Sequence, residues 1–193
     1  MNQDYVNLDC IFLASGHSKR FGQDKLRYPL DGKNLCEHCF DALPPGLFRR
    51  VCVVARSDAV LALAARHGFM PVPNDDETDD TAVTIRRGLD ALPPDGDGVM
   101  FCVCDEPYLR PGSIARLRAV FMAAPNRIVR LSWHGTEGNP VIFPSSLLLE
   151  LRALAPGESG RRVIESHRDL VTLVEAETAR ELCDIDRPDD FNE

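Results

Sequence analysis

The chain has 193 residues, of which 44% are hydrophobic and 27% are charged. Both fractions lie close to the averages of globular proteins, which excludes a disordered or fibrous chain. The length predicts a single domain that spans residues 1–193. There are 22 basic and 30 acidic residues, and the resulting net charge of −8 argues against bulk binding to nucleic acid.

The chain contains no segment that would place it in a membrane. Its longest uninterrupted apolar run, 59–65, has seven residues, whereas roughly 20 are needed to cross a bilayer. The first ten residues, MNQDYVNLDC, lack the basic region and apolar core of a secretory signal. We therefore expect a cytoplasmic protein.

The seven cysteines are best explained as reduced thiols, because their number is odd and no export signal is visible. Four lie in apolar, strand-like runs and are predicted to be core residues: Cys10, Cys52, Cys102 and Cys104. Cys36 and Cys39 have the CxxC spacing of metal and redox sites, but no second Cys/His pair with suitable spacing accompanies them. We predict that they lie one helical turn apart on a buried face.

In chain order, short apolar runs alternate with longer amphipathic segments. The apolar runs predict strands at 8–14, 51–55, 69–72, 99–104, 128–133, 140–143 and 170–175. The amphipathic segments predict helices at 35–43, 58–66, 81–92, 112–123, 145–154 and 160–167. Each connecting helix returns the chain to the same edge, so the first four strands are predicted to be parallel.

The predicted fold class is therefore α/β, a three-layer α/β/α sandwich with a mostly parallel, Rossmann-like central sheet. The short link at 134–139 predicts an antiparallel pair of strands at the edge of this sheet. In such sheets ligands bind at the carboxyl ends of the strands, near the point where strand order reverses. Two polar clusters follow predicted strands at such ends.

The first cluster is the segment SGHSKRFGQDK at 15–25. Its glycines allow a ligand to approach the backbone, and its amides with Arg20 and Lys25 supply donors for anionic oxygens. Gly16 and Gly22 fit neither the GxGxxG nor the GxxxxGK[ST] spacing. Composition alone leaves open a phosphate cradle or an ordinary solvated turn.

The second cluster is Asp105, which follows the most apolar run of the chain. Mg²⁺ prefers oxygen ligands and often takes only one or two carboxylates beside phosphates. A carboxylate fixed at the end of a central strand suits that role. The alternative is that Asp105 only caps the turn before Pro107.

Four segments resemble, in order, the motifs of one family. The segment LASGHSKRFGQDKL at 13–26 resembles LAAGxSxRMGxxKL, and CDEP at 104–107 resembles GDxP. The segment GNPVIF at 138–143 resembles GHPVLF, and DIDRPDDF at 184–191 is similar to DIDTPEDL. These are motifs of the molybdenum cofactor cytidylyltransferases and related MobA-like nucleotidyltransferases.

The resemblance implies a nucleotide-diphospho-sugar transferase-like fold and a reaction. CMP from CTP, or GMP from GTP, would be transferred to the terminal phosphate of molybdopterin or its molybdenum-loaded form, with release of pyrophosphate. The implied cofactor is Mg²⁺. A molybdoenzyme or a chaperone is a partner that such a function would allow.

By position, the resemblance also implies site residues. The implied catalytic residues are Arg20, Lys25 and Asp105. The implied nucleotide-binding residues are Leu13, Ala14, Ser15, Gly16, Arg20, Lys25, Asn74 and Thr84. Asn139 and Pro140 would face the acceptor, and Asp105 and Asp186 would hold the metal ion.

The chain also departs from the family pattern. Asn139 replaces the His of GHP, and Asp79 and Asp80 stand where GMSxS is expected. An acidic pair there would repel a nucleotide phosphate if it pointed inward. The GxxK spacing from Gly22 to Lys25 resembles the cytidylyl branch and favours CTP. Three alternatives stay open: a nucleotidyltransferase that uses a sugar phosphate, a non-catalytic homologue that binds a nucleotide or cofactor, and a protein whose cysteines serve in metal storage or redox chemistry.

Overall fold

The computed structural model describes residues 7–17, 21 and 24–186. Within them the strands are β1 (Leu8–Ala14), β2 (Pro29–Leu30), β3 (Lys33–Asn34), β4 (Val51–Ala55), β5 (Met70–Pro73), β6 (Gly98–Val103), β7 (Ile128–Trp133), β8 (Thr136–Pro144) and β9 (Val171–Glu175). The α-helices are α1 (Leu35–Asp41), α2 (Asp58–Arg66), α3 (Thr81–Ala91), α4 (Pro111–Ala123), α5 (Leu148–Arg152) and α6 (Gly160–Ser166). Over this part of the chain, no helix has the length and hydropathy of a membrane span.

Seven strands form one sheet in the order β5-β4-β1-β6-β8-β7-β9. β1 pairs in parallel with β4 on one side and with β6 on the other. β8 is antiparallel to both β6 and β7, and β9 is parallel to β7. The predicted mostly parallel α/β fold is confirmed.

Helices cover both faces of the sheet because alternate side chains of each strand point to opposite faces. In β1, Cys10 and Phe12 pack into the hydrophobic cluster that contains the buried residues of α1, α2 and α4. Ile11 packs into the second cluster, with the buried residues of α3, α5 and α6. Both faces are buried, as expected for a parallel sheet, and three layers result.

The antiparallel strand lies inside the sheet, which corrects the prediction of an excursion at its edge. β8 lies between β6 and β7, and β9 forms the edge. Residues 140–144 of β8 are buried, and an apolar strand of this kind is more stable between two neighbours than at an exposed edge. The hairpin of β2 and β3 was not predicted, since two-residue strands carry no periodic signal.

The cysteine predictions are confirmed. Cys10, Cys52, Cys102 and Cys104 are at most 1% exposed. Cys36 and Cys39 are fully buried in α1. All seven cysteines are free thiols, and only Cys183 is exposed.

The segment 177–186 returns to the carboxyl ends of the central strands. Glu181 is completely buried, and its carboxylate accepts backbone N–H groups from Arg110 at 3.0 Å, Glu177 at 2.7 Å and Thr178 at 3.1 Å. Ile185 N–H then donates to the carbonyl oxygen of Asp105 at 2.8 Å. These bonds fix the backbone that carries Asp186.

Candidate active site

A cavity with a volume of about 340 Å³ lies at the carboxyl ends of β1 and β6. The chain leaves β1 towards β4 and β5 and later crosses to β6 on the other side. Strand order therefore reverses beside β1, which is where ligands bind in open α/β sheets. We call this space the central cavity, and its walls include Leu13, Ala14, Gly16, Lys25, Asp105 and Asp186.

Lys25 lies between two carboxylates. Its Nζ donates to Asp105 Oδ2 at 2.9 Å, to Asp186 Oδ1 at 3.2 Å and to the Ile185 carbonyl oxygen at 3.1 Å. Burial alone would lower the pKa of Lys25, but the charge of Asp105 and the hydrogen bonds to both aspartates outweigh burial and raise it. The ammonium therefore stays charged at neutral pH.

The local sequence positions this lysine. Residues Lys25–Arg27 form a 3₁₀ turn whose first N–H groups are capped by Asp24, which accepts from Leu26 N–H at 3.3 Å. Leu26 is buried in the core and anchors the turn. The turn therefore points Lys25 back towards the end of β1.

The loop after β1 presents its backbone to the cavity. Around Gly16, a Cβ atom would meet nothing within 4 Å, so the backbone there is open to a ligand. The Ser15 hydroxyl donates to the Val54 carbonyl oxygen at 3.1 Å, which turns it towards β4. Arg56 Nε donates to the Ser15 carbonyl oxygen at 2.8 Å and holds the loop. Sequence reasoning missed Arg56, although its place directly after β4 is a signal that could have identified it.

A second space, the α3 cavity, has a volume of about 160 Å³ and adjoins the N-terminus of α3. Thr84 lines it, together with Ser15 and Gly16. Asn74 lies behind Thr84 and donates through Nδ2 to Thr84 Oγ1 at 3.3 Å. Both side chains are buried, and Asn74 is not among the residues that line this cavity.

The acidic pair before α3 lies within the site. Asp80 is the N-cap of α3 and accepts Ala82 N–H at 2.9 Å. Asp79 accepts His17 N–H at 3.2 Å and lines both cavities. A carboxylate therefore already occupies one amide donor of the loop after β1.

A third space, the apolar cavity, has a volume of about 200 Å³ and lies between α3, β6, β8 and α6. Most of its walls are apolar side chains, among them Ile85, Phe101, Val141, Phe143 and Ile164. Its polar residues include Arg130, Asn139, Ser159 and Arg161. Leu13 lines this cavity as well as the other two, so the three spaces adjoin.

The predicted acceptor residue Asn139 contacts a buried acid. Its Nδ2 donates to Glu106 Oε1 at 3.1 Å, and Glu106 is 6% exposed. Burial raises the pKa of Glu106 to about 8, although the hydrogen bond from Asn139 opposes this effect. Sequence reasoning missed Glu106. The only sign of its role in the sequence is its position next to Asp105 at the end of a buried strand.

The two predicted metal ligands, Asp105 and Asp186, direct carboxylate oxygens at the same ammonium group. Two carboxylate oxygens that contact the same positive charge are suitable ligands for Mg²⁺, which commonly binds one or two carboxylates together with phosphates and water. Within the described ranges, no cluster of three or more His, Cys, Asp or Glu side chains suits a metal ion. The phosphates of a substrate would have to complete the coordination.

The structure thus brings together Leu13, Ala14, Gly16, Lys25, Asp105 and Asp186 around the central cavity. Ser15 and Thr84 line the α3 cavity, and Asn139 lines the apolar cavity. Asn74 and Pro140 line none of the three. Arg20, also predicted for this site, lies outside the described residues, as do Gly22 and residues 187–191.

Comparison with known proteins gives matches over most of the chain. The sequence pattern of the MobA-like NTP transferase domain family matches residues 10–171. The purine catabolism protein PucB of Bacillus subtilis is 26% identical over 193 aligned residues, which cover 94% of this chain and 93% of PucB. A probable molybdenum cofactor guanylyltransferase of Aquifex aeolicus is 43% identical over 47 residues, which cover 24% of this chain and 23% of that protein.

Solved structures show the same fold. Rv0371c from Mycobacterium tuberculosis superposes with a TM-score of 0.81 at 22% identity, covering 96% of each chain. The 4-diphosphocytidyl-2C-methyl-D-erythritol synthase of Anaerococcus prevotii superposes with a TM-score of 0.75 at 14% identity, covering 96% of this chain and 95% of that one. The family match over residues 10–171 shows that the chain belongs to the MobA-like NTP transferase domain family and is a nucleotidyltransferase of that family.

Proposed function

We propose that the protein transfers CMP from CTP to the terminal phosphate of a molybdopterin-type acceptor and releases pyrophosphate. The observation that carries this proposal is the Lys25 ammonium, held between Asp105 and Asp186 where strand order reverses. Gly16 opens the backbone beside it. Asp105 and Asp186 would hold Mg²⁺, which supplies positive charge against the phosphates when bound.

The reaction needs positioning and charge more than covalent help. An oxygen of the acceptor phosphate bonds to the α-phosphorus of CTP while the bond to the bridging oxygen of the β-phosphate breaks, and pyrophosphate leaves with that electron pair. Catalysis of such in-line displacements depends on alignment and on neutralising negative charge. Lys25 supplies a fixed positive charge in the central cavity, and Arg20 would supply a second.

The site must bind phosphates in a protein of net charge −8. The amides of the loop after β1 and Lys25 meet that need locally. Asp79 holds the His17 amide in the structure, so the carboxylate must leave this N–H if a phosphate is to use it. Asp79 and Asp80 would then suit the base, because carboxylates accept from exocyclic amino groups.

The preference for CTP rests on the GxxK spacing from Gly22 to Lys25, which resembles the cytidylyl branch. Cytosine and guanine both carry an amino group, so size rather than this contact would separate them. A pyrimidine fits a small space with fewer unpaired polar edges. GTP is the alternative donor.

The acceptor would occupy the apolar cavity. Its apolar walls suit a flat ring, and Arg130 and Arg161 suit an anionic group. The partial relative from Aquifex aeolicus, named as a probable molybdenum cofactor guanylyltransferase, supports molybdopterin as that acceptor. A molybdoenzyme or a chaperone that accepts the product would be a partner, an idea that rests on the sequence resemblance alone.

The test is a pyrophosphate-release assay with each of the four ribonucleoside triphosphates, molybdopterin and Mg²⁺. We expect kcat/KM for CTP to exceed that for GTP by at least about tenfold. A tenfold ratio corresponds to the free energy of one modest hydrogen bond. A higher kcat/KM for GTP than for CTP would instead identify GTP as the donor. Turnover only with sugar 1-phosphates would refute the acceptor, and CTP binding without pyrophosphate release would indicate a non-catalytic homologue.

A further inference from the structure

A polar pair lies between the end of β6 and the apolar cavity: Glu106 is buried, and Asn139 is half-buried and lines that cavity. Glu106 directly follows Asp105 at the end of β6, and its side chain faces Asn139 of β8. β8 pairs with β6 from Val141 onward, so Asn139 lies just past the end of that ladder. Asn139 stands where the resembled motif has His, and Glu106 occupies the variable position of the GDxP-like motif.

The contact fixes which way the Asn139 amide points. In either protonation state, a carboxyl group has an oxygen that accepts from an amide N–H. The reverse orientation would need a protonated Glu106 carboxyl that donates its O–H to Oδ1, whereas in the structure Asn139 Nδ2 is the donor. Nδ2 therefore faces Glu106 at 3.1 Å, and Oδ1 points elsewhere. Across residues 7–17, 21 and 24–186, no hydrogen bond to Oδ1 is found.

The free oxygen belongs to a side chain that lines a largely apolar space. Phe101, Val141 and Phe143 form walls of the apolar cavity beside Asn139. In pockets of this kind, a few fixed polar groups set the orientation and identity of the ligand. A ligand that lacks the matching group leaves a buried polar atom unpaired, which penalises its binding.

We propose that Glu106 is a positioning residue for acceptor recognition. It holds the Asn139 amide so that Oδ1 accepts a hydrogen bond from a ring N–H or O–H of the phosphate-bearing acceptor. The pair selects acceptors with a donor at that place over similar rings without one. This inference rests on the proposed function, and it assigns the recognition element of the same site.

Kinetics of four variants test the proposal with molybdopterin as the acceptor: Glu106→Met, Glu106→Gln, Asn139→Ala and the double variant Glu106→Met/Asn139→Ala. We expect Glu106→Met and Asn139→Ala each to raise the acceptor KM about tenfold, the loss of one hydrogen bond, while KM for CTP stays unchanged. The glutamine in Glu106→Gln still accepts from Asn139 and should return the acceptor KM to within about threefold of wild type. The double variant should resemble either single variant, because residues that act through one contact are not additive.

A measurement without turnover tests the positioning directly. In ¹H–¹⁵N spectra, the side-chain amide protons of Asn139, assigned by their loss in Asn139→Ala, should exchange slowly with water. Glu106→Met should make them exchange fast, and Glu106→Gln should keep them slow. Thermal unfolding of each variant identifies any general loss of structure.

The possible results separate the inference from the proposed function. If wild-type protein does not use molybdopterin, the proposed acceptor fails, and the same cycle is run with whichever sugar 1-phosphate is turned over. If no acceptor is turned over by the wild type, both fail before any variant is compared. Three results would overturn the inference alone. They are an unchanged acceptor KM in Glu106→Met, additive effects in the double variant, and an exchange rate of the Asn139 amide protons that does not change when residue 106 is substituted.

Discussion

Replacing Lys25 with alanine tests whether its ammonium acts on the reaction or only on the fold. The side chain is 13% exposed, and its partners Asp105 and Asp186 are 27% and 42% exposed. Water therefore screens both carboxylates once the ammonium is gone. We expect a loss of only about 1–2 kcal/mol in the free energy of unfolding, between the values for surface and buried ion pairs.

The catalytic effect should be much larger than this loss of stability. Removing one group that neutralises charge in a transition state commonly lowers kcat by about 10²–10³. A loss of 1–2 kcal/mol lowers the melting temperature of a chain of this length by about 2–8 °C, so the variant stays folded at 25 °C. The assays are pyrophosphate release under saturating nucleotide and differential scanning calorimetry.

Lys33→Ala is the matched control, because Lys33 also pairs with an aspartate, Asp41, but lies in the β2–β3 hairpin and lines none of the three cavities. It should leave kcat within about twofold of wild type, as surface ion pairs contribute little. The reasoning is refuted if Lys25→Ala raises KM for the nucleotide without lowering kcat. It is also refuted if the control loses as much activity as the variant.

Three further predictions concern other parts of the site and core. Asp105→Asn should keep the fold and lose most activity, even at high Mg²⁺, because an amide lacks the charge that binds the ion; pyrophosphate release measures this. Glu181→Ala should lower the free energy of unfolding by at least about 1–3 kcal/mol, since three backbone N–H groups lose their acceptor, and activity should fall as Asp186 is displaced. At pH 8 a thiol reagent should modify only Cys183 in the native protein, since the other six cysteines are buried. Burial raises the pKa of Cys36 and of Cys52 to about 12 and keeps these thiols protonated. Mass spectrometry counts the labels.

Each of the three has a contrary result. Near-normal turnover by Asp105→Asn would remove Asp105 from the metal site. An unchanged melting temperature in Glu181→Ala would mean that water replaces the buried carboxylate at no cost. Rapid labelling of a second cysteine in the native protein would show that part of the core opens far more often than its burial indicates.

β1 and β6, at whose carboxyl ends the site lies, could be predicted from the sequence. The runs at 8–14 and 99–104 are continuous and apolar, and strands so buried on both faces have few alternative conformations. The place of β8 could not be predicted, because pairing partners are chosen by packing across the whole sheet. A local pattern identifies a hairpin but not which of its strands enters the interior.

At the site, the sequence predicts that Lys25, Asp105 and Asp186 belong together, and the structure brings them within hydrogen-bonding distance. The directions of the side chains could not be predicted in the same way. Glu106 accepts a hydrogen bond from Asn139, which is 33 positions away in the chain. Contacts of that kind depend on how β8 lies against β6, which the sequence alone did not reveal.

The bonds between Lys25 and the segment 183–186 have a consequence for biosynthesis. Lys25 is made 160 residues before the carbonyl of Ile185 that it contacts. On the ribosome, the first half of the sheet can begin to fold while Asp186 has not yet been added, since N-terminal parts of a chain fold first. Until then Lys25 lacks its contacts with Ile185 and Asp186. The nascent chain therefore acquires its complete set of charges around the central cavity only when this late segment has emerged from the exit tunnel, so an interrupted translation product cannot assemble the finished site.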